Sequence, residues 1–113
     1  MSNDEKRKDL RIPVRITVVL RETTFDGTLY FSSSDLSLGG MFLEADLLLQ
    51  EGSVVSLQYS LPNGGTPIRS VARIARVVDS QEEGTRCGFG VEFLEMDLSS
   101  REQLRGFIAR ALG

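Results

Sequence analysis

Two short polar segments contain the residue types that could bind a planar, anionic ligand. Arg7 and Arg11, separated by three residues, stand in a highly charged N-terminal stretch. The segment 35–40, with the sequence DLSLGG, offers a carboxylate, a hydroxyl and two glycines. Guanidinium groups form paired hydrogen bonds with phosphate oxygens and with the O6 and N7 atoms of guanine. A carboxylate can accept hydrogen bonds from guanine's other edge, so the two segments together predict a site for a guanine nucleotide with exposed phosphates.

The charge distribution favours a small anion over a long one. The chain has a formal net charge of −3 and an isoelectric point near 4.9, which argues against non-specific binding to nucleic acid or to an anionic membrane. The basic residues nevertheless cluster near the N-terminus: Lys6, Arg7, Lys8, Arg11 and Arg15. Such a local cluster on an acidic protein is typical of a binding site for a small anionic ligand.

The composition excludes several kinds of active site. The chain has no histidine and one cysteine, Cys87, so it lacks Ser–His and Cys–His pairs, multi-cysteine zinc sites and an internal disulfide. With 113 residues it is long enough for one domain. No stretch reaches the roughly 18 apolar residues of a membrane span, and the N-terminus lacks the apolar part of a signal peptide. We therefore expect a cytoplasmic, single-domain protein that holds no metal, inserts in no membrane and is not an enzyme.

The elements that must position the two segments are mostly strands. Residues 1–11 lack apolar periodicity and predict a flexible basic arm, followed by the domain at 12–113. Apolar residues alternate with polar ones after Pro13, which predicts a first strand over 14–21. A second strand is expected over 28–33, ended by the polar run Ser32 to Asp35. Further strands are expected over 41–43, 55–61, 68–78 and 87–93. Six short antiparallel strands at this spacing predict a closed or nearly closed barrel.

The C-terminal segment changes to a helical period. Apolar residues recur at helical spacing, which predicts an α-helix over about 98–112. Ser99 and Glu102 have the spacing of a capping box and are expected to begin it. Because so short a helix is marginal alone, its apolar stripe should pack on the barrel or on a partner.

Each polar segment also has a simpler explanation. An arginine pair on a charged arm can serve solubility alone. The residues of DLSLGG can form an ordinary turn, in which Asp35 and Ser37 bond to backbone N–H groups and the glycines allow the bend. Three further arginines (Arg69, Arg73 and Arg76) are expected to face outward from the barrel, and one of them could extend the ligand site.

The order and context of the segments resemble those of a known family. The double-arginine arm precedes the first strand, DLSLGG follows the second, and the segment 88–93, with the sequence GFGVEF, closes the sheet before the final helix. This arrangement, from about Arg7 into the C-terminal helix, resembles the PilZ domain, the bacterial receptor module for cyclic di-GMP. The resemblance implies an all-β fold with one helix, a six-stranded antiparallel β-barrel followed by a C-terminal α-helix, and no catalysis.

The resemblance also implies roles for individual residues. Arg7 and Arg11 would bind the phosphates and the O6/N7 edge of guanine as the arm folds over the ligand. Asp35 and Ser37 would contact a guanine from the barrel surface, and Gly40 would leave room for the base. Gly39 lies between the matched positions. No cofactor is implied beyond the ligand cyclic di-GMP, bound singly or as a stacked pair.

The sequence leads to one hypothesis and leaves alternatives open. The hypothesis is a cyclic di-GMP receptor that changes the conformation of its N-terminal arm and signals to an effector protein in bacterial motility or surface attachment. The first alternative is a PilZ-like protein–protein interaction module that binds no nucleotide. The second is a small barrel that binds single-stranded nucleic acid through the basic arm, which the negative net charge disfavours.

Overall fold

The structure is a computed structural model that describes residues 10–22, 27–45, 49–78 and 87–113. It contains six strands: β1 (Ile12–Glu22), β2 (Leu29–Leu36), β3 (Gly40–Glu44), β4 (Val54–Tyr59), β5 (Ile68–Val78) and β6 (Gly88–Met96). One helix, α1 (Leu98–Leu112), follows them. The predicted arm lies mostly outside the described residues, since these begin at Leu10 and β1 begins at Ile12.

The six strands close into a barrel in the order β1-β2-β3-β6-β5-β4, and every neighbouring pair is antiparallel. The predicted fold class, a six-stranded antiparallel barrel with a C-terminal helix, is confirmed. Closure satisfies the backbone hydrogen bonds of what would otherwise be two edge strands. It also brings β3, β6 and β5 side by side.

Alternation of apolar and polar residues explains the barrel interior. In β4, for example, Val55, Leu57 and Tyr59 are buried while the residues between them are exposed. The inward residues of all six strands form one apolar core, to which α1 adds Leu104 and Ile108. The helix therefore packs its apolar stripe on the barrel, as its short length requires.

The second strand is longer than the sequence predicts. The polar run that was expected to end it continues the strand to Leu36, and Ser33 is fully buried within it. The hydroxyl of Ser33 donates a hydrogen bond of 2.7 Å to the carbonyl of Asp35, so burial leaves no donor unpaired. A local hydrogen bond thus lets a serine occupy an inward position, and Asp35 lies inside β2 rather than after it.

The N-cap of α1 lies two residues before the serine of the expected capping box. Asp97, not Ser99, is the N-cap, and its Oδ1 accepts a 2.7 Å hydrogen bond from the backbone N–H of Ser100. The capping-box prediction was therefore wrong. An aspartate directly after the last strand can cap the first free N–H groups, and its charge also suits the positive helix end. That bond lowers the pKa of the Asp97 carboxyl below its ordinary value of 3.8.

We expect Asp97→Ala to lower the melting temperature, because the variant leaves the N–H of Ser100 without its side-chain partner. The lowered pKa means that the ionised carboxyl favours the folded state. Its contribution is complete above the ordinary pKa of 3.8 and is lost as the pH falls through the lower folded-state pKa. Circular-dichroism melts should therefore show wild type and variant converging in acid. A difference that stays constant with pH would contradict this role, and Asp97→Asn, which keeps a neutral cap, is the matched control.

Two features are absent from the described residues. No helix among them is both long and apolar enough to span a bilayer. No group of three or more Asp, Glu or Cys side chains in the same ranges is arranged to hold a metal ion.

Candidate functional site

An ion pair joins the two polar segments. Arg11 lies just before β1, and its Nη1 donates a 2.9 Å hydrogen bond to Oδ1 of Asp35 near the end of β2. The strand register explains the pairing, because Pro13 lies opposite Asp35 and Ile12 opposite Leu36. The guanidinium is about half exposed while the carboxylate is mostly covered. One of the two predicted arginines is thus already held at the barrel mouth by the predicted carboxylate.

The same carboxylate oxygen also binds the backbone of β3. Oδ1 of Asp35 accepts a 3.1 Å hydrogen bond from the N–H of Phe42. Asp35 therefore connects β2 and β3 around the connecting turn, in addition to its contact with Arg11. This second bond fixes the orientation of the carboxylate, so the group is preorganised at the rim of the barrel.

Ser37 organises the turn between β2 and β3. Its backbone N–H and its hydroxyl both donate to the carbonyl of Gly40, at 2.9 Å and 3.0 Å. Its Oγ in turn accepts hydrogen bonds from the N–H groups of Gly39 and Gly40. The side chain is almost fully buried, so its hydroxyl is used within the turn in this structure. Ser37 therefore has the role expected of it in an ordinary turn, in which its side chain bonds to backbone N–H groups.

Gly40 is required by close packing of backbone. It is buried and lies opposite Glu92 on β6, and a Cβ at position 40 would overlap the carbonyl oxygen of Val91. The neighbouring Gly39 accepts a 2.8 Å hydrogen bond from the N–H of Phe93 through its carbonyl. Both glycines therefore hold the turn against β6. A concave surface lies between the turn and this strand.

A groove of about 400 Å³ lies at this surface. It connects the sequence segments to strands β5 and β6, and its lining residues are Arg11, Ser37, Gly39, Gly40, Ala75, Arg76, Gly90, Val91 and Glu92. We call it the ligand groove. Four of the six residues predicted for the ligand site line it. Asp35 is not among the lining residues, but it holds Arg11 at the groove edge, and Arg7 lies outside the described residues.

Arg76 is a groove residue that the sequence pattern did not single out from Arg69 and Arg73. A register shift between Ile74 and Arg76 places Arg76 opposite Gly90 on β6. A Cβ at Gly90 would be 3.9 Å from both Cβ and Nε of Arg76, so the arginine lies close over the glycine. Arg76 thus lines the groove as a second arginine in addition to Arg11. Gly90 belongs to the GFGVEF segment that the sequence pattern singles out. No sequence signal, however, reveals the strand register that places Arg76 opposite Gly90.

The groove has one acidic edge. Glu92 accepts a 3.0 Å hydrogen bond from Nη2 of Arg73, its cross-strand partner on β5. Both side chains are about half exposed, so the pair contributes about 0–1 kcal/mol to stability. Its main effect is to neutralise Glu92, as Asp35 neutralises Arg11, so that Arg76 leaves the groove with a positive charge.

A larger, more apolar groove of about 1020 Å³ lies next to the ligand groove and runs along α1. Its lining residues include Leu10, Leu38, Gly39, Phe93, Leu104, Ile108 and Leu112. Leu10 directly precedes Arg11, and Leu38 and Gly39 belong to the turn at the ligand groove. The arm and the DLSLGG turn therefore both border this apolar groove as well as the ligand groove.

Solved structures with the same fold support the architecture. The chain matches the Bacillus subtilis inhibitor of motility, MotI/DgrA, with a TM-score of 0.77 and 20% identity, over 91% of this chain and 49% of that protein. It matches the PilZ domain of YcgR from Escherichia coli, solved with cyclic di-GMP, with a TM-score of 0.69 and 21% identity over 91% of this chain and 88% of that one. The PilZ domain of CeSA from a cellulose-synthesizing bacterium gives 0.66 and 18% identity, over 93% and 100% of the two chains.

These likenesses show the fold alone, because each identity is low. The chain spans about half the length of MotI/DgrA. No curated protein matches the sequence well enough to count as a relative. The sequence model of the PilZ domain, however, matches residues 5–110, which includes both polar segments, all six strands and most of α1. The chain belongs to the PilZ domain family.

Proposed function

We propose that this protein is a receptor for cyclic di-GMP and that it acts as an adaptor without catalysis. The observation that carries the proposal is the ligand groove, which both Arg11 and Arg76 line beside the turn of the DLSLGG segment. Guanidinium groups suit both the phosphates and the O6/N7 edge of guanine. The family match and the YcgR PilZ domain solved with cyclic di-GMP support the same ligand.

The ion pair of Arg11 and Asp35 is suited to exchange for a ligand. Since Arg11 is about half exposed, the pair contributes about 0–1 kcal/mol. A charge-assisted hydrogen bond from Arg11 to a phosphate contributes about 1.5–3 kcal/mol, so the exchange favours the bound state. The freed carboxylate of Asp35, still held by the N–H of Phe42, can then accept hydrogen bonds from the N–H groups of guanine.

The remaining predicted residues complete the proposed site. Arg7 supplies a further guanidinium from the arm, and Arg76 supplies one from the barrel wall. Ser37, Gly39 and Gly40 form the turn that borders the groove against which a base would lie. Gly40 keeps this turn close to β6, because a Cβ at position 40 would overlap the carbonyl oxygen of Val91.

The arm provides the proposed signal. Each residue that becomes ordered costs about 1–2 kcal/mol of backbone entropy, and charge-assisted hydrogen bonds offset this cost, so closure of the arm over the ligand is reversible. Leu10 and Gly39 also line the apolar groove along α1. Movement of the arm therefore changes that surface, and an effector protein in bacterial motility or surface attachment reads the change in the cytoplasm.

The proposal predicts that cyclic di-GMP, but not cyclic di-AMP, binds the protein and raises its melting temperature. Both ligands carry two phosphates, but adenine lacks the O6 acceptor and presents a different edge to Asp35. A ligand that binds only the folded state must stabilise it. Isothermal titration calorimetry and thermal-shift assays with the two dinucleotides measure this directly.

Two outcomes would contradict the proposal. Absence of heat and of any thermal shift with cyclic di-GMP would favour the interaction module that binds no nucleotide. Equal affinity for the two dinucleotides would mean that only phosphates are recognised, and the assignment of Asp35 to guanine would be wrong.

A further inference from the structure

A second polar groove, of about 790 Å³, lies on the outer face of the barrel across β1, β4, β5 and β6. On β5 it is lined by residues 69–71, whereas the ligand groove is lined by Ala75 and Arg76. At about 3.3 Å per residue, the nearest lining residues of the two grooves on this strand are separated by roughly 13 Å. We call it the basic groove, because three arginines line it: Arg21, Arg69 and Arg101.

The strand register places its outward side chains in two rows. One row crosses three strands through Val19, Gln58 and Arg69, and the next crosses four strands through Arg21, Ser56, Val71 and Glu95. Residues opposite each other in neighbouring strands lie about 5 Å apart, so each row forms a continuous strip of surface. The N-terminal part of α1 forms one wall, where the hydroxyl of Ser100 accepts a bond from the N–H of Arg69.

Three arginines face this groove without a bonded carboxylate. Arg21, Arg69 and Arg101 line it and are exposed, and none of them forms an ion pair within the described ranges. Two carboxylates, Glu95 and Asp97, also line it, and Asp97 already caps α1. Three cations against two anions leave a charge of +1 on one face of a protein with a net charge of −3.

The space between the charges is apolar. Val19, Val71 and Met96 are only partly covered, and the side chain of Leu94 is 42% exposed. Arginine heads around partly exposed aliphatic side chains form a surface that can desolvate apolar groups and bind carboxylates at the same time.

We propose that the basic groove docks an acidic, apolar-containing segment of a partner protein. A peptide can place single carboxylates opposite Arg21, Arg69 and Arg101 while its apolar side chains cover Val71 and Leu94. A nucleic acid carries a phosphate at each nucleotide, so Glu95 and Asp97 would repel part of it. The proposal rests on the proposed function in one respect: it takes the protein to be an adaptor, and it specifies that the partner of this adaptor presents an acidic segment.

The test is a selection from a library of random peptides, long enough to cross four strands, displayed on phage and panned on the full chain without nucleotide. We expect the enriched peptides to combine an excess of Asp and Glu with apolar residues. Synthesised and measured by fluorescence anisotropy, they should bind the double variant Arg69→Glu/Arg101→Glu about tenfold more weakly or worse. The matched control is Arg105→Glu, one turn further along α1 and outside the basic groove, which should bind as wild type does.

Enriched peptides without an acidic excess would overturn the proposal, as would equal affinity for wild type and the double variant. Tighter binding of single-stranded oligothymidylate than of the peptides, lost in the same variant, would assign the groove to nucleic acid instead. If the charge reversals alter the circular-dichroism spectrum, Arg69→Gln/Arg101→Gln repeats the measurement without introducing new charges.

The failure of this inference is distinguishable from the failure of the proposed function. Calorimetry with cyclic di-GMP should give the same affinity for wild type and for Arg69→Glu/Arg101→Glu, because neither residue lines the ligand groove. A wild-type protein that binds the peptides but not cyclic di-GMP would contradict the receptor proposal alone. A protein that binds cyclic di-GMP but selects no acidic peptides would contradict only the proposal for the basic groove.

Discussion

Replacing Arg11 with alanine is expected to weaken cyclic di-GMP binding by about 2 kcal/mol, roughly thirtyfold. The variant removes a guanidinium that lines the ligand groove, and with it the charge-assisted bonds proposed for a phosphate. It also removes the ion pair with Asp35, but the guanidinium of that pair is about half exposed, so the pair contributes little to stability. The loss should therefore appear in the affinity measured by calorimetry and hardly at all in the melting temperature. Arg7→Ala should give a loss of similar size.

Arg15→Ala is the matched control for this measurement. Arg15 is an exposed arginine of β1, four residues further along the chain, with an ion pair of 3.6 Å to Glu44 and no place in the ligand groove. Its substitution removes the same formal charge, so it reports the non-specific electrostatic part of the affinity. If the two variants lost affinity equally, Arg11 would act only through net charge and its assignment to the ligand would be wrong.

A large loss of stability is expected for Gly40→Ala. The added methyl group would overlap the carbonyl oxygen of Val91. Gly40 and Val91 lie on the paired strands β3 and β6, whose backbones cannot easily separate. Overpacking of this kind costs about 1–3 kcal/mol, and we expect the upper part of that range because no flexible side chain can move aside. Urea unfolding monitored by circular dichroism measures the loss of unfolding free energy.

The neighbouring Gly90→Ala supplies the comparison. Gly90 lies on β6 opposite Phe42, and its added Cβ would meet Arg76 only at the ordinary contact distance of 3.9 Å. Alanine in place of an extended glycine also reduces the entropy of the unfolded chain, so the variant should be as stable as wild type or slightly more stable. A similar destabilisation by both substitutions would show that the backbone overlap at Gly40 is not the cause.

Much of the fold could be predicted because the strands bury one face each. The strand over 68–78 and the helix over 98–112 were predicted with the bounds that the structure has, since their apolar residues recur at the period of each element. The errors come from polar residues whose partners are local. Ser33 is buried inside a strand because it bonds to the carbonyl of Asp35, and Asp97 begins the helix because it bonds to Ser100.

The ligand site could be predicted only in part. Arg11, Ser37, Gly39 and Gly40 line one groove. They lie just before β1 and just after β2, and in this antiparallel pair the start of β1 is next to the end of β2, as the sequence order indicates. Arg76 could not be identified in the same way, since its place depends on a register shift between β5 and β6. Sequence spacing does not define such a shift, because β5 and β6 would contain the same residues with the shift or without it.

The most direct test of the central claim is a ¹⁵N–¹H nuclear magnetic resonance titration of the full chain with cyclic di-GMP. We predict saturable shifts of the amide signals of Gly39, Gly40 and Phe42 and of the side-chain Nε signals of Arg11 and Arg76, which surround the ligand groove. The amides of 56–58 and 69–71, which line the basic groove, should not move. Shifts centred on the basic groove, or none at saturating nucleotide, would contradict the claim that the groove beside DLSLGG binds cyclic di-GMP.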